Sequence, residues 1–278
     1  MLPALADGWR IAEPRLLSDG IGGRVWRVTL ADGRPAALKQ ASRLAQREAP
    51  GGNDFLRWID GDGAVRLIDE HGGLSLLEWA GQRTLLDHLE EHGDDAATDI
   101  AADVVARLHA PRDAPAPVSL TTLADSFASL FVKAELDRKK SRRSQFVKAA
   151  EIAERLLADQ RDVRPLHGDI HHENILHGER GWLAIDAKGV VGDPAFDIAN
   201  LFYNPVESEL RTSEARIVSM AAILVETLRC DMGKVLDYAF SFSALSASWH
   251  IEDGDEREAE RSLAVGSAVE AARRQINS

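Results

Sequence analysis

This sequence has one cysteine, no long apolar run and no excess of basic residues, and each of these features excludes a class of protein. The single cysteine, Cys230, cannot form an internal disulfide, which indicates a reducing compartment. No apolar stretch approaches the ~20 residues of a membrane-spanning helix, and the start of the chain lacks the pattern of a secretory signal. The formal charge of −12 argues against a nucleic-acid partner. We therefore expect a cytoplasmic protein that binds neither membranes nor nucleic acids.

Turn residues divide the first eighty residues into short apolar runs. Asp32 and Gly33 separate two such runs, and residues 71–73 separate another two. Turn residues between β-prone runs predict β-hairpins. The residues between the two hairpins have a helical pattern, which Pro50 and the two glycines after it should end or break near Ala49.

Beyond Gly81 the pattern changes to that of helices. Apolar residues such as Ile100 and Val104 recur at helical spacing. Hairpins first and helices afterwards predict an α+β fold with two lobes. We expect a small, antiparallel, β-rich N-terminal lobe (residues 1–79) and a large, mainly helical C-terminal lobe (residues 80–278).

One segment, LHGDIHHENILHGERGWLAID (residues 166–186), concentrates groups that can do chemistry. Asp169 and Asn174 lie close together in it, and Asp186 ends a short apolar strand. Phosphoryl transfer from ATP needs one carboxylate that orients the acceptor hydroxyl and takes its proton. It also needs oxygen ligands for Mg²⁺, such as an amide oxygen and a second carboxylate. The pattern therefore favours Asp169 as the catalytic base and Asn174 and Asp186 as magnesium ligands.

The histidines of this segment offer a rival interpretation, a zinc site. They are His167, His171, His172 and His177. Zinc sites need three or four converging ligands, often with cysteine, whereas neighbouring residues in an extended chain point to opposite sides. We favour the phosphoryl-transfer interpretation and expect His167 to hold the loop by packing and hydrogen bonding.

The motifs HGDIHHENIL and IDAKGVVGDPAFD resemble those of the aminoglycoside phosphotransferase family, whose fold is similar to that of protein kinases. The stretches FLRWIDGDGAVRLIDE, LLEWAG and FDIANLFYNP are similar to its aminoglycoside/hydroxyurea kinase branch, of the streptomycin 6-phosphotransferase type. The resemblance covers nearly the whole chain. It implies for Asp169, Asn174 and Asp186 the roles inferred above, and it implies ATP and Mg²⁺ as cofactors.

The resemblance also implies which residues surround the phosphates. Lys39 matches the strand lysine that pairs with the α- and β-phosphates. Glu48 is the candidate helix carboxylate that orients this lysine, although Pro50 departs from an uninterrupted helix. Asp197 should support the loop by accepting its backbone N–H groups.

Two further backbone segments are expected to bind ATP. Gly22 and Gly23, in SDGIGGRVW, either let the backbone approach the phosphates or simply make a turn between strands, and both interpretations stay open. Backbone groups of Glu78 and Ala80, in LLEWAG, should meet the adenine edge by resemblance to the connection between kinase lobes.

The expected activity is ATP-dependent phosphorylation of a hydroxyl group on a small polar or cationic molecule, foremost an aminoglycoside of the streptomycin type, which would confer antibiotic resistance. A close variant phosphorylates hydroxyurea or a metabolite amino-alcohol, and a different class is a nucleotide-binding regulator without catalysis. A protein kinase is disfavoured because Ala-Lys, not Phe-Gly, follows Asp186 and no Ala-Pro-Glu motif is present. No obligate protein partner is implied.

An acidic balance suits a cationic substrate. Acceptor-binding candidates near the end of the chain are Trp249, Glu252, Asp253 and Asp255. The alternative, that these residues form a solvated acidic loop, is at least as good.

Overall fold

Strands dominate the start of the chain and helices the rest, as the computed structural model shows for the part that it describes, residues 3, 8–20, 22–42 and 49–276. The strands are β1 (Ala12–Gly20), β2 (Gly23–Thr29), β3 (Pro35–Ala41), β4 (Leu67–His71), β5 (Leu74–Glu78), β6 (Arg83–Thr84), β7 (Thr121–Thr122), β8 (Arg164–Leu166), β9 (Ile175–Gly178), β10 (Gly181–Ala184) and β11 (Val190–Gly192). The helices are α1 (Ala49–Ile59), α2 (Leu85–His92), α3 (Asp94–Leu108), α4 (Leu123–Ser126), α5 (Ala128–Lys139), α6 (Gln145–Ala158), α7 (Pro194–Asp197), α8 (Ala199–Tyr203), α9 (Glu214–Leu228), α10 (Met232–Glu252) and α11 (Glu256–Ile276).

The first five strands form one antiparallel sheet in the order β1-β2-β3-β5-β4. Both predicted hairpins, β2–β3 and β4–β5, are confirmed. Gly33 and Gly73 lie in their turns with φ of 86° and 81°, in the left-handed region that glycine adopts at no steric cost. The turn chemistry thus fixes the register of both hairpins.

The two faces of this sheet contact different parts of the molecule. On one face a small apolar cluster is built from Trp26, Val28, Ala36, Leu38, Leu74 and Leu76. Since side chains alternate along a strand, Lys39 lies on the other face, beside Ser75 of β5. Leu77 lies on that second face and belongs to the large core. The sheet therefore presents Lys39 towards the rest of the molecule.

Helix α1 begins its described course at Ala49, so Pro50 and the two glycines after it, predicted to interrupt a helix, lie in its first turn. Proline fits there because N–H groups of the first turn have no partner within the helix. A side chain at Gly52 would overlap the carbonyl oxygen of Ala187. The glycines therefore allow the start of α1 to lie directly against residues 187–189.

Helices pack around α10 to form the large core, which also includes Phe55, Leu56 and Ile59 of α1. Two three-stranded sheets, β10-β9-β6 and β7-β11-β8, complete the fold beside the sheet of the first five strands. Within the described residues, no helix is both long and apolar enough to cross a membrane. The α+β class is confirmed. The lobe boundary between residues 79 and 80 stays a prediction, and it falls directly after β5.

Candidate active site

A buried carboxylate holds the loop between β8 and β9, here called the HGD loop (residues 167–174). Asp197 accepts hydrogen bonds from the backbone N–H groups of His167, at 3.0 Å, and Gly168, at 2.6 Å. His109 Nε2 lies 3.1 Å from the same carboxylate. Burial raises the pKa of Asp197, but His109 and the loop donors outweigh burial, and that pKa lies below its ordinary value. The expected support of the loop by Asp197 is confirmed.

The ring of His167 connects the HGD loop to the strand that leads to Asp186. Its Nε2 lies 2.9 Å from the carbonyl oxygen of Ile185, and its Nδ1 lies 3.3 Å from the backbone nitrogen of Asp169. Burial lowers the pKa of His167, so the ring is neutral, and these partners assign the proton to Nε2. The expected packing and hydrogen-bonding role of His167 is confirmed.

Amide groups fix the carboxylate of Asp169 from two sides. Asn200 Nδ2 donates to Oδ1 at 3.0 Å, and Asn174 Nδ2 lies 3.3 Å from Oδ2. Asn204 donates to the side-chain oxygen of Asn200 at 2.9 Å, which orients that amide nitrogen towards Asp169. Lys188 Nζ lies 3.9 Å from Oδ2. The carboxylate so positioned lines a cavity of about 540 Å³.

Asn174 and Asp186 are connected through the main chain. The N–H of Ile185 donates to the carbonyl oxygen of Asn174 at 2.8 Å, and Asp186 follows with a left-handed φ of 63°. The carboxylate of Asp186 forms an ion pair with Lys39. Burial raises the pKa of Asp186, but Lys39 outweighs burial and the pKa lies below its ordinary value. The structure thus brings together all four predicted groups, Asp169 included.

The donor set fits Mg²⁺. Asn174 uses its amide nitrogen to bind Asp169, which leaves the amide oxygen and the carboxylate of Asp186 as hard oxygen ligands. Mg²⁺ is usually held by one or two protein groups together with phosphates and water. In the described part of the chain, no three His, Cys, Asp or Glu side chains converge on one point.

The four histidines lie in separate environments, which speaks against the zinc interpretation. His171 accepts a hydrogen bond from the backbone of Glu173 and thereby caps the 3₁₀ helix His172–Asn174. His172 is buried, and burial lowers its pKa to about 3. The ring of His177 packs against Trp182 with centroids 4.9 Å apart.

The glycine-rich stretch forms the turn between β1 and β2. Gly23 has a φ of 126°, and a side chain there would overlap the carbonyl oxygen of Gln40 in β3. Gly22 is exposed, and a Cβ atom added to it would meet no other heavy atom within 4 Å. Strand packing alone therefore requires glycine at position 23, and the phosphate-binding role of both glycines stays a prediction. Glu48, the other predicted phosphate-side residue, lies outside the described residues.

The side chain of Glu78 holds the segment between β5 and β6 in place. Its carboxylate accepts two hydrogen bonds from Arg180, both at 2.6 Å, and one from the backbone of Arg66 at 3.0 Å. Burial raises the pKa of Glu78, but Arg180 outweighs burial and the pKa lies below its ordinary value. Ala80 is buried in the same segment. Contact of Glu78 and Ala80 with adenine stays a prediction.

The cavity beside Asp169 has an acidic wall. Asp125, Glu252 and Asp253 line it together with the ring of Trp249. The fourth candidate from the sequence, Asp255, does not line the cavity, because its carboxylate accepts a hydrogen bond from the backbone of Glu258 at the start of α11. Three of the four acceptor candidates are therefore brought to the same cavity.

Sequence reasoning missed Asp125, Lys188 and Asn200. Asp125 lies in a short helix far from every motif, and no signal marks it. Lys188 follows Asp186 by two positions, and Asn200 lies within FDIANLFYNP, so both belong to stretches already singled out. Only the folded chain shows that Lys188 and Asn200 approach Asp169 and that Asp125 lines the same cavity.

A comparison with protein-family models matches residues 8–254 to a family described as aminoglycoside/hydroxyurea antibiotic resistance kinase. The chain belongs to this kinase family. A streptomycin 3''-kinase from Klebsiella pneumoniae is 38% identical over 249 residues, 86% of this chain and 90% of the relative. A streptomycin 6-kinase from Streptomyces griseus is 33% identical, covering 96% of this chain and 89% of the relative.

Solved structures agree with the predicted fold of this kinase. An amicoumacin kinase in complex with AMP-PNP and Ca²⁺ has a TM-score of 0.64 at 17% identity, covering 93% of this chain and 88% of that chain. The bilobal, protein-kinase-like fold is confirmed. Family membership also confirms the expected enzyme class, a phosphotransferase with an alcohol group as acceptor.

Proposed function

We propose that this kinase transfers the γ-phosphoryl group of ATP to a hydroxyl group of streptomycin and thereby confers resistance in the cytoplasm. The observation that carries the proposal is the cavity of about 540 Å³ in which Asp169 and an acidic wall face the same space. Two relatives phosphorylate streptomycin at different positions, 3'' and 6 by their names. Their agreement on the molecule supports streptomycin as the acceptor.

In the proposed reaction the acceptor oxygen bonds to the γ-phosphorus as the bond from that phosphorus to the bridging oxygen breaks. The electron pair of the broken bond stays on ADP, and the hydroxyl proton passes to Asp169. Asn200 and Asn174 hold that carboxylate, so it meets the hydroxyl without reorganisation. Asp169 thereby orients the hydroxyl and receives its proton.

The nucleotide is proposed to lie between the five-stranded sheet (β1 to β5) and the HGD loop. Lys39 would pair with the α- and β-phosphates, and Gly22 and Gly23 would cover them. Asn174 and Asp186 would hold Mg²⁺, which when bound supplies positive charge against the phosphate oxygens. The main chain of Glu78 and Ala80 would meet the adenine edge.

Charge favours a cationic acceptor. Streptomycin carries guanidinium groups, and carboxylates bind guanidinium through paired hydrogen bonds. Asp125, Glu252 and Asp253 supply three carboxylates on the wall. The ring of Trp249, 39% exposed, adds a face on which a cation can lie. Hydroxyurea, the other molecule in the family's description, is small and neutral and would use little of this wall.

An ADP-release assay with streptomycin, hydroxyurea and an aminoglycoside without guanidinium groups tests the proposal. We expect turnover with streptomycin, and NMR of the product identifies the phosphorylated hydroxyl. Replacing Asp169 with Asn should lower kcat by about 10²–10⁴-fold. Faster turnover of hydroxyurea than of streptomycin would refute the assigned acceptor.

The wall is tested separately with Asp253→Asn and Glu252→Gln. Because both residues face the cavity, each substitution should raise the KM for streptomycin by about tenfold, the value of one charge-assisted hydrogen bond, and leave the KM for ATP unchanged. Glu260→Gln on the exposed side of α11 is the matched control. Unchanged KM for streptomycin in both variants would remove the role of the wall.

A further inference from the structure

The main chain of Lys188 is fixed between the HGD loop and helix α1. Its N–H donates to the carbonyl oxygen of His167 at 2.8 Å. Its own carbonyl oxygen lies so close to Gly51 that a side chain at that glycine would be in tight contact with it. The side chain of Lys188 therefore starts from a backbone held on both sides, two residues after Asp186.

Lys188 lines two cavities. The smaller cavity is also lined by Lys39 and Asp186 and lies on the nucleotide side. The larger cavity contains Asp169 and the acidic wall. Among the described residues, Lys188 alone lines both of these cavities.

Positive charge near Asp169 comes from few groups. Lys188 Nζ lies 3.9 Å from Oδ2 of Asp169, and Lys188 lines the smaller cavity together with Asp186. The HGD loop itself contains no lysine or arginine. His171 Nε2 approaches Asp169 Oδ1 to 4.0 Å, but His171 does not line the nucleotide-side cavity. Lys188 thus supplies a cation beside Asp169 and also borders the cavity that Asp186 lines.

We propose that Lys188 is a further catalytic residue, whose Nζ contacts the γ-phosphoryl group of bound ATP and keeps this contact while the group moves to the acceptor hydroxyl. The inference rests on the proposed phosphoryl transfer. Negative charge in this transition state is spread over the three equatorial oxygens of the γ-phosphoryl group. The ammonium group of a lysine has three donors for such oxygens. Lys39, engaged with Asp186, serves the α- and β-phosphates instead.

The test compares nucleotides that differ only in the γ-position. Binding of ADP and of AMP-PNP, each with Mg²⁺, is measured by calorimetry for the wild type, Lys188→Met and Lys39→Met. Lys188→Met should weaken the binding of AMP-PNP by about tenfold, since one charge-assisted hydrogen bond is lost. It should change the affinity for ADP by less than about twofold. Lys39→Met should weaken both nucleotides.

Turnover provides the second readout. Removing a donor to the developing charge should lower kcat by about 10²–10³-fold, and Lys188→Arg, which keeps the charge, should recover part of the loss. The binding comparison needs no acceptor, so a failure to phosphorylate streptomycin refutes the proposed acceptor without affecting this inference.

Two results would overturn the role of Lys188. One is an equal effect of Lys188→Met on ADP and AMP-PNP, which would place the lysine away from the γ-phosphate. The other is an unchanged kcat, which would mean that Lys188 does not stabilise the charge that develops on the γ-phosphoryl group. If the Met variant does not fold, Lys188→Gln, which retains polarity on a shorter side chain, is measured in its place.

Discussion

Asp197→Asn is the perturbation that reports most directly on how the active site is held together. The carboxylate of Asp197 accepts N–H groups of His167 and Gly168 and lies next to His109. Asparagine has nearly the same shape but replaces one oxygen with an NH₂ group. One of the loop N–H groups, or His109, then faces a donor where it now faces an acceptor.

The magnitude follows from burial and charge. Asp197 is 2% exposed, and removing one partner from a buried charged set costs about 3–5 kcal/mol. The entropy of unfolding is about 2.1 cal/mol/K per residue, or roughly 0.6 kcal/mol/K for a chain of 278 residues. Asp197→Asn should therefore lower the midpoint of thermal unfolding by about 5–9 °C. Because Asp169 is attached to the same loop, kcat should fall by at least about tenfold.

The sign of the pH dependence provides a check. The pKa of Asp197 in the folded protein is lowered from its ordinary value of 3.8. The stability that this carboxylate contributes is therefore fully present above pH 3.8 and is lost as the pH falls through the pKa of the folded state. Calorimetric scans at pH 7.5 therefore measure the full effect. The control is Asp103→Asn on the exposed face of α3, which should leave the midpoint within about 1 °C. A shift of Asp197→Asn as small as that of the control would refute the reasoning.

Two further substitutions test single features of the fold. His172 is buried, and its ring has no hydrogen-bond partner among the described residues. Its pKa is lowered from 6.5 to about 3. Because the unfolded chain binds a proton at this residue below pH 6.5 and the folded chain does not, the wild type should lose about 1.4 kcal/mol of stability per pH unit below 6.5. Urea unfolding at pH 6.5 and 5.5 should show a smaller loss in His172→Phe, while exposed His71→Gln keeps the wild-type loss; an unchanged loss in His172→Phe contradicts the argument. Gly23→Ala should lower the thermal midpoint by about 3 °C, because a positive φ and overlap with Gln40 cost about 2 kcal/mol together, whereas Gly22→Ala has space. Equal midpoints for the two alanine variants would count against that explanation.

Local chemistry made part of this structure predictable. The β2–β3 turn at Asp32 and Gly33 is determined by the backbone conformation that glycine allows, and the alternation along β3 then places Lys39 opposite the small apolar cluster. The proximity of Asp169, Asn174 and Asp186 was predictable, because the roles expected of them demand oxygen donors that lie close together. Each of these signals lies within a few residues of the feature that it predicts.

The rest depends on contacts between distant parts of the chain. Pro50 and its following glycines suggest a helix boundary by themselves, but their place in the first turn of α1 follows from the close approach to residues 187–189, which no local pattern records. Asn200 of α8 reaches Asp169, and Asp125 of α4 reaches the cavity beside it, only through the folding of distant segments onto one another. The acidic residues at the end of α10 divide between cavity and helix cap for the same reason.

The contacts that hold the reacting groups are separate from those that form the acceptor wall. Asp169 is held by Asn174 within its own loop and by Asn200 of α8, whereas the wall is built from the short helix α4 and the end of α10. The amide groups that hold the carboxylate of Asp169 belong to Asn174 and Asn200, and neither residue is part of the wall. We therefore expect substitutions on the wall to change which hydroxyl reaches Asp169 while this proposed base stays in place.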